Sequence, residues 1–324
     1  MNNDNAMEKL FEAIGRNDVH EVTRLLRVPG ININQLDNEG NSALHIACSL
    51  GHASIVDRLV MVPDIEVDTD NGRGTPLMMA ARNNRISTIT HLFHYAGDRI
   101  DVNKQDANGY SALHHASEAG NHTVIHNLVI RPGINRNLET VESGDTPLQL
   151  ALRNEDIRAA TFLLDPFKGG RENDISHRNR AGLTPLMEAP MSIIRDNFLQ
   201  YFRNAVIGGV NETDNRGWTA LMHASSAGDL PKVNLLLDIP DIDIRHRGNL
   251  NETARSLASN QGHALVVARL IEFENHAVQM GGTRRHTPTR NQRKKNIRKN
   301  TAVNVNFVRR HQLKRSTKKQ RKIK

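Results

Sequence analysis

The sequence predicts an all-α solenoid of helix-turn-helix units joined by hairpin loops. Three observations lead there. A short signature, Ser/Thr-Pro/Ala-Leu followed by small and apolar residues, returns seven times in 324 residues. Apolar pairs at helical spacing follow most occurrences. Aromatics make up only 4% of the chain against 38% hydrophobic residues, which suits thin layers of small aliphatics better than one large core. Length alone suggests roughly two ordinary domains, but internal repetition outranks length.

The elements follow in order. Leu10, Phe11, Ala13 and Ile14 with Val22, Leu25 and Leu26 read as a capping helix pair without the signature. The signature then reads Ser42-Ala43-Leu44-His45-Ile46-Ala47, Thr75-Pro76-Leu77-Met78-Met79-Ala80 and Ser111-Ala112-Leu113-His114-His115-Ala116. It returns at Thr146-Pro147-Leu148, Thr184-Pro185-Leu186, Thr219-Ala220-Leu221 and, weakly, Thr253-Ala254 with Leu257-Ala258. Successive Ser/Thr positions are 33, 36, 35, 38, 35 and 34 residues apart. Each Ser/Thr is placed to cap a helix, and proline fits the first turn, where its missing N–H costs nothing. The leucines point inward, and Ala47, Ala80, Ala116, Ala151 and Ala224 let neighbouring helices approach closely. Gly51, Gly120, Gly228 and Gly262 end the first helix; Asn83 or Asn84, and Asn154, stand where glycine is missing. Second helices carry Ile55-Val56 with Leu59-Val60, Val124-Ile125 with Leu128-Val129, Val233 with Leu235 to Leu237, and Val266-Val267 with Leu270-Ile271. Pro-centred turns and extended stretches follow, and Asp37, Asp70, Asp106 and Asp214 begin the hairpin loops.

The T-P-L-H-x-A pattern at a period near 33 residues resembles the ankyrin repeat. The resemblance covers about residues 7–273 as eight units, behind a flexible N-terminus at 1–6 and ahead of a tail at 274–324. Repeat six is irregular. Pro190 falls inside its first helix, where a proline costs about 3 kcal/mol; Ile193 to Phe202 reads as a longer helix, and the loop from Asp165 to Ala181 is long. A distorted repeat or bend is expected there, with a functional insertion the alternative.

Chemistry is sparse. One cysteine excludes an intrachain disulfide framework and any multi-cysteine zinc site. Cys48 follows Ala47 at a small, buried repeat position and reads as core, not as a nucleophile, although His45 is three residues away. His122 with His126, and His91 with His94, share helical faces but lack a third ligand nearby in sequence. His45 and His114 occupy the repeat's own histidine slot. No Gly-rich phosphate loop, G-x-S-x-G elbow or H-E-x-x-H occurs. A non-enzymatic chain without metal or cofactor is expected. An enzyme hidden in repeat six is the least favoured reading.

The residue before each Ser/Thr is more informative. The resemblance places it at the hairpin tip, on a concave recognition face. That slot holds Asn41, Gly74, Tyr110, Asp145, Leu183 and Trp218. Of these, Asn41, Tyr110, Asp145, Leu183 and Trp218 are the candidate contacts with a partner protein. Aromatic anchors are favoured at interface hot spots; packing of Trp218 over repeat six is the competing reading.

Charge divides the chain in two. From Gly281 onward there are 17 Lys+Arg and no acid, while the remainder carries 26 basic and 35 acidic residues. Like-charge blocks stay solvated and disordered. The tail clusters include Arg293, Lys294 and Lys295, then Lys318, Lys319, Arg321 and Lys322. They resemble a nuclear localisation signal read by an import receptor; the alternative is DNA or RNA held by counterion release. Phe307 is the tail's only aromatic, so base stacking has little support. No run of about 18 apolar residues predicts a membrane-spanning helix, and the polar start does not read as a secretory signal. The expected molecule is a monomeric interaction scaffold of nucleus or cytoplasm. From a bacterial source it would be a host-directed effector.

Overall fold

The computed structural model describes residues 3–164, 175, 177–190 and 209–280. Among the described residues the structure is helical, with one isolated antiparallel bridge between Leu36 and Ser42. The first unit, Met1–Ile271, holds the repeats; the described part of the second, Glu272–Lys324, continues the last helix.

Among the described residues, seven helix pairs and one single helix follow the predicted order. They are α1 (Asn3–Gly15) with α2 (Val19–Leu25), α3 (Ala43–Leu50) with α4 (Ala53–Val60), and α5 (Pro76–Arg82) with α6 (Ile86–Ala96). Next come α7 (Ala112–Glu118) with α8 (His122–Val129), α9 (Pro147–Arg153) with α10 (Ile157–Leu164), and α11 (Pro185–Glu188) alone. The last pairs are α12 (Ala220–Ser226) with α13 (Leu230–Leu237) and α14 (Ala254–Asn260) with α15 (Ala264–Met280). First helices stack on first helices and second on second, so each repeat touches mainly its neighbours.

Local chemistry explains the first helices. Ser42, Thr75, Ser111, Thr146, Thr184, Thr219 and Thr253 are N-caps in extended backbone, and each side-chain oxygen accepts the N–H three residues on. Replacing one by alanine costs about 1 kcal/mol. Leu44, Leu77, Leu113, Leu148, Leu186 and Leu221 are at most 4% exposed, and the small alanines beside them are equally buried. Gly51 closes α3 with φ +88°. In repeat three Asn84 takes the left-handed conformation.

One expectation is corrected. In repeat five the left-handed residue is Glu155, not Asn154. Asn154 stays at φ −81° and uses its side chain to donate to the Glu118 carbonyl of the preceding repeat, 3.0 Å away. At the N-terminus α1 begins at Asn3 and buries Ala6 and Met7. At the other end α15 runs to Met280, past the boundary expected at 273. Repeat six is irregular as read: α11 is one turn long and stops at Ala189, directly before Pro190. The helix expected over 193–202 lies outside the described residues.

Candidate functional site

The hairpins that join repeats are built from one side-chain device. Asp37, Asp70, Asp106, Asn179 and Asp214 each accept two backbone N–H groups, two and four residues ahead, at 2.8–3.1 Å. Short polar side chains satisfy turn amides in this way. Successive tips are tied by backbone bonds, Val141 N–H to Asn108, Arg180 to Ser143, Asn215 to Ala181 and Asn249 to Arg216, at 2.8–3.1 Å. Below the tips, His45 Nδ1 accepts from Ser42 N–H and its Nε2–H donates to the Gly74 carbonyl at 3.0 Å. His114 makes the same bridge to the Asp145 carbonyl, and Gln149 makes it to Leu183. Burial pushes both imidazoles below their usual pKa, His114 to about 4, so they are neutral at pH 7.

The five candidate contacts differ. Tyr110 and Trp218 are half-buried and stand over matching Asp–His pairs. Asp106 Oδ1 accepts the Tyr110 N–H, and its Oδ2 accepts from His115 Nε2 at 2.9 Å. The Tyr110 ring centroid is 5.2 Å from that imidazole. Asp214 holds Trp218 N–H and His223 Nε2 in the same way, with the rings 5.5 Å apart. Burial would raise the Asp214 carboxyl, but the Trp218 N–H and His223 hold it below the usual range. Trp218 also donates through Nε1 to Glu252 and carries the Arg216 guanidinium 4.2 Å from its ring centroid. Its packing partners include Gly248 and Glu252 of repeat eight; no described contact places it over repeat six.

Asp145 is not a surface contact. It is fully buried, accepts from Asn179 Nδ2 at 2.8 Å and from Ser143 Oγ, and pairs with Arg153 at 2.8 Å. Arg153 also holds Glu188 at 3.0 Å, and this carboxyl is raised by burial against the pull of Arg153. Asn41 is half-buried and accepts from Asn71 Nδ2 at 2.7 Å, which ties two tips together. Leu183 is half-buried, with its backbone held by Asn179 and Gln149.

Sequence reasoning missed the Asp–His pairs beneath the aromatics. Their signal was legible: Asp106, Tyr110 and His115 recur as Asp214, Trp218 and His223, each 108 residues on.

Other candidates have structural occupations. Cys48 is fully buried, which pushes its thiol pKa far up. His91 pairs with Asp57 and His122 with Asp156 of neighbouring repeats, while His94 packs on Tyr95 and His126 on Phe162. Among the described residues no group of three or more His, Cys, Asp or Glu could hold a metal ion. No helix among them is long and apolar enough to cross a membrane. Arg293, Lys294, Lys295, Lys318, Lys319, Arg321 and Lys322 lie outside the described residues.

Comparison with known proteins agrees with this architecture. The family model for ankyrin repeats in three copies matches residues 10–106 and 96–173, and the single ankyrin repeat matches 216–247. The irregular segment falls between the matches. The human transient receptor potential cation channel subfamily A member 1 is 25% identical over 72% of this chain and 21% of its own length. The chicken nuclear factor NF-kappa-B p105 subunit is 32% identical over 47% of this chain and 15% of its own. Alpha-latrotoxin-Lg1a of Latrodectus geometricus is 33% identical over 27% of this chain and 6% of its own. The chain thus spans about a fifth or less of these relatives. Among solved structures, the ankyrin repeat domain of Bcl-3 superposes with a TM-score of 0.53 at 20% identity, covering 81% of this chain and 97% of that one.

Proposed function

Because this chain belongs to the ankyrin-repeat family, we propose that it is a non-enzymatic scaffold whose hairpin row and first helices bind a partner protein. The observation that carries this reading is the pair of half-buried aromatics, Tyr110 and Trp218, each fixed over an Asp–His pair on the same row. Rings held in this way lose little freedom on binding, which is what an interface anchor needs. Leu183 and Asn41 supply lesser contacts on the same row. The test is capture by the full chain from a cell extract, set against capture by Tyr110→Ala/Trp218→Ala. Proteins retained by the wild type and absent from a folded double variant support the reading; identical retention overturns it.

The same reading makes the basic tail an address. Its 17 Lys+Arg lie in short clusters without acids, a pattern import receptors read as extended cationic side chains. Residues 281–324 fused to a carrier too large to diffuse into nuclei should accumulate there. Lys318→Ala/Lys319→Ala/Arg321→Ala should reduce accumulation. A carrier that stays outside removes the nuclear role. The competing role, nucleic-acid binding by the tail, predicts binding whose salt dependence drops by about 0.7–0.9 for each phosphate that the variant no longer neutralises.

A further inference from the structure

Charge is unevenly distributed along the hairpin row. The hairpins of repeats two to five, within 35–41, 68–74, 104–110 and 138–145, carry a net six negative charges. Those of repeats six to eight, within 177–183, 212–218 and 245–252, carry a net two positive charges. Arg178, Arg180, Arg216, Arg245 and Arg247 are all exposed there. Among the described residues only Arg216 of these five makes an ion pair, to Asp214 at 3.2 Å.

These side chains sit on a braced support. Backbone bonds tie tip six to tip seven and tip seven to tip eight, and Asn215 and Asn249 add side-chain bonds to Arg180 O and Asn215 O at 2.7 and 3.0 Å. Arg178 lies along its own hairpin with Nε donating to the Gly182 carbonyl, and Arg247 does the same through Nη1 to Asn251. Arg216 is clamped between Asp214 and the Trp218 ring. In each case guanidinium nitrogens remain unused, and a guanidinium with fixed orientation suits a carboxylate. At the end of the ridge Leu250 is 88% exposed on the tip of hairpin eight. Gly248, two residues before it in the same hairpin, lies against the Trp218 ring, so an apolar side chain this exposed near it favours an apolar contact.

Granting the recognition role proposed above, we infer that hairpins six to eight form a docking ridge for an acidic, extended segment of a partner protein, with one apolar side chain lodged by Trp218 and Leu250. Protein fits better than nucleic acid. Glu212, Asp243 and Glu252 are interleaved with the arginines and would oppose a continuous phosphate backbone, whereas a polypeptide can space its carboxylates. Two repeat steps cover ~20 Å, which an extended segment of about six residues spans.

The chain has one tryptophan, so its emission reports the ridge apart from the tail. The probe is an unlabelled peptide of Asp and Glu with a central Leu, titrated into the full chain at physiological salt. Its Lys-for-acid counterpart and single-stranded DNA serve as comparisons. We expect a saturable shift of Trp218 emission with the acidic peptide, none with the lysine peptide and a smaller one with DNA. Arg178→Glu/Arg180→Glu/Arg247→Glu, at exposed sites, should weaken acidic-peptide binding by about tenfold or more with an unchanged circular dichroism spectrum. An acidic peptide that binds by calorimetry without moving Trp218 emission, or that binds the triple variant equally, overturns the ridge. A DNA-induced shift equal to the peptide's overturns the choice of protein. If no acidic peptide binds while Tyr110→Ala/Trp218→Ala still loses its captured partner, the recognition role stands and the acidic class falls.

Discussion

The ammonium of Lys232 lies 2.7 Å from the carbonyl oxygen of Ala189, the residue at which the helix of repeat six stops. The same Nζ donates to the Met187 carbonyl at 3.1 Å. The helix ends directly before Pro190, and its last carbonyls are left to donors from outside the ladder. Lys232 supplies them from α13, with Glu188 and Asp229 offsetting some of its charge. Burial still lowers its pKa to about 8.

Lys232→Met should therefore destabilise the chain by about 1–3 kcal/mol, the cost of leaving buried carbonyls unpaired. Urea unfolding measures the loss, and hydrogen exchange should place it in repeats six and seven. A neutral Lys232→Met would show that other donors satisfy Met187 and Ala189.

Acid should weaken the stack through His114. His114 has its folded pKa lowered to about 4 from 6.5, so between these values the unfolded chain binds more protons. The stability it confers is complete above pH 6.5 and is lost as pH falls toward 4, by up to about 3 kcal/mol. His114→Gln copies the bond that Gln149 makes in the next repeat and removes the titration. Its melting temperature should change less than wild type's between pH 7 and pH 5; an equal slope would assign the acid sensitivity elsewhere.

Tyr110→Ala/Trp218→Ala and Asp145→Ala should separate recognition from support. The aromatic pair should cost about 2 kcal/mol or more in partner affinity, read by titration with a captured partner. Asp145→Ala removes a fully buried carboxylate from Asn179 and from Arg153, which keeps Glu188, and should cost about 1–3 kcal/mol of stability. Reduced affinity in Asp145→Ala at unchanged stability would return that residue to the binding surface.

Gly109 and Gly72 have nearly the same backbone, at φ +79° and +82°. A Cβ on Gly109 would lie 2.6 Å from the Val141 amide, which bonds the tip before it, while Gly72 has nothing within 4 Å. Gly72→Ala should show only the left-handed penalty, about 1 kcal/mol. Gly109→Ala should cost clearly more in thermal unfolding, because tips four and five must part. Equal losses would mean that the bond between these tips contributes little.

The repeat was legible in the sequence because its determinants are local. Ser42, Thr75 and their counterparts cap the helix that they begin, and Leu44 and Ala47 face inward by helical period, so spacing alone placed them. The break at Pro190 was readable for the same reason, since the missing N–H belongs to that residue. What spacing could not supply was the partner drawn from a neighbouring repeat. Asp145 looked like a tip residue, but Asn179, 34 positions on, and Arg153 enclose it. Trp218 looked like a free anchor, yet Glu252 fixes its indole. Lys232 carries no signal of its own in the sequence, and its partner Ala189 lies 43 residues earlier. Burial and ion pairing depend on which side chains the stacking of one repeat on the next brings together, and only the tertiary structure decides that.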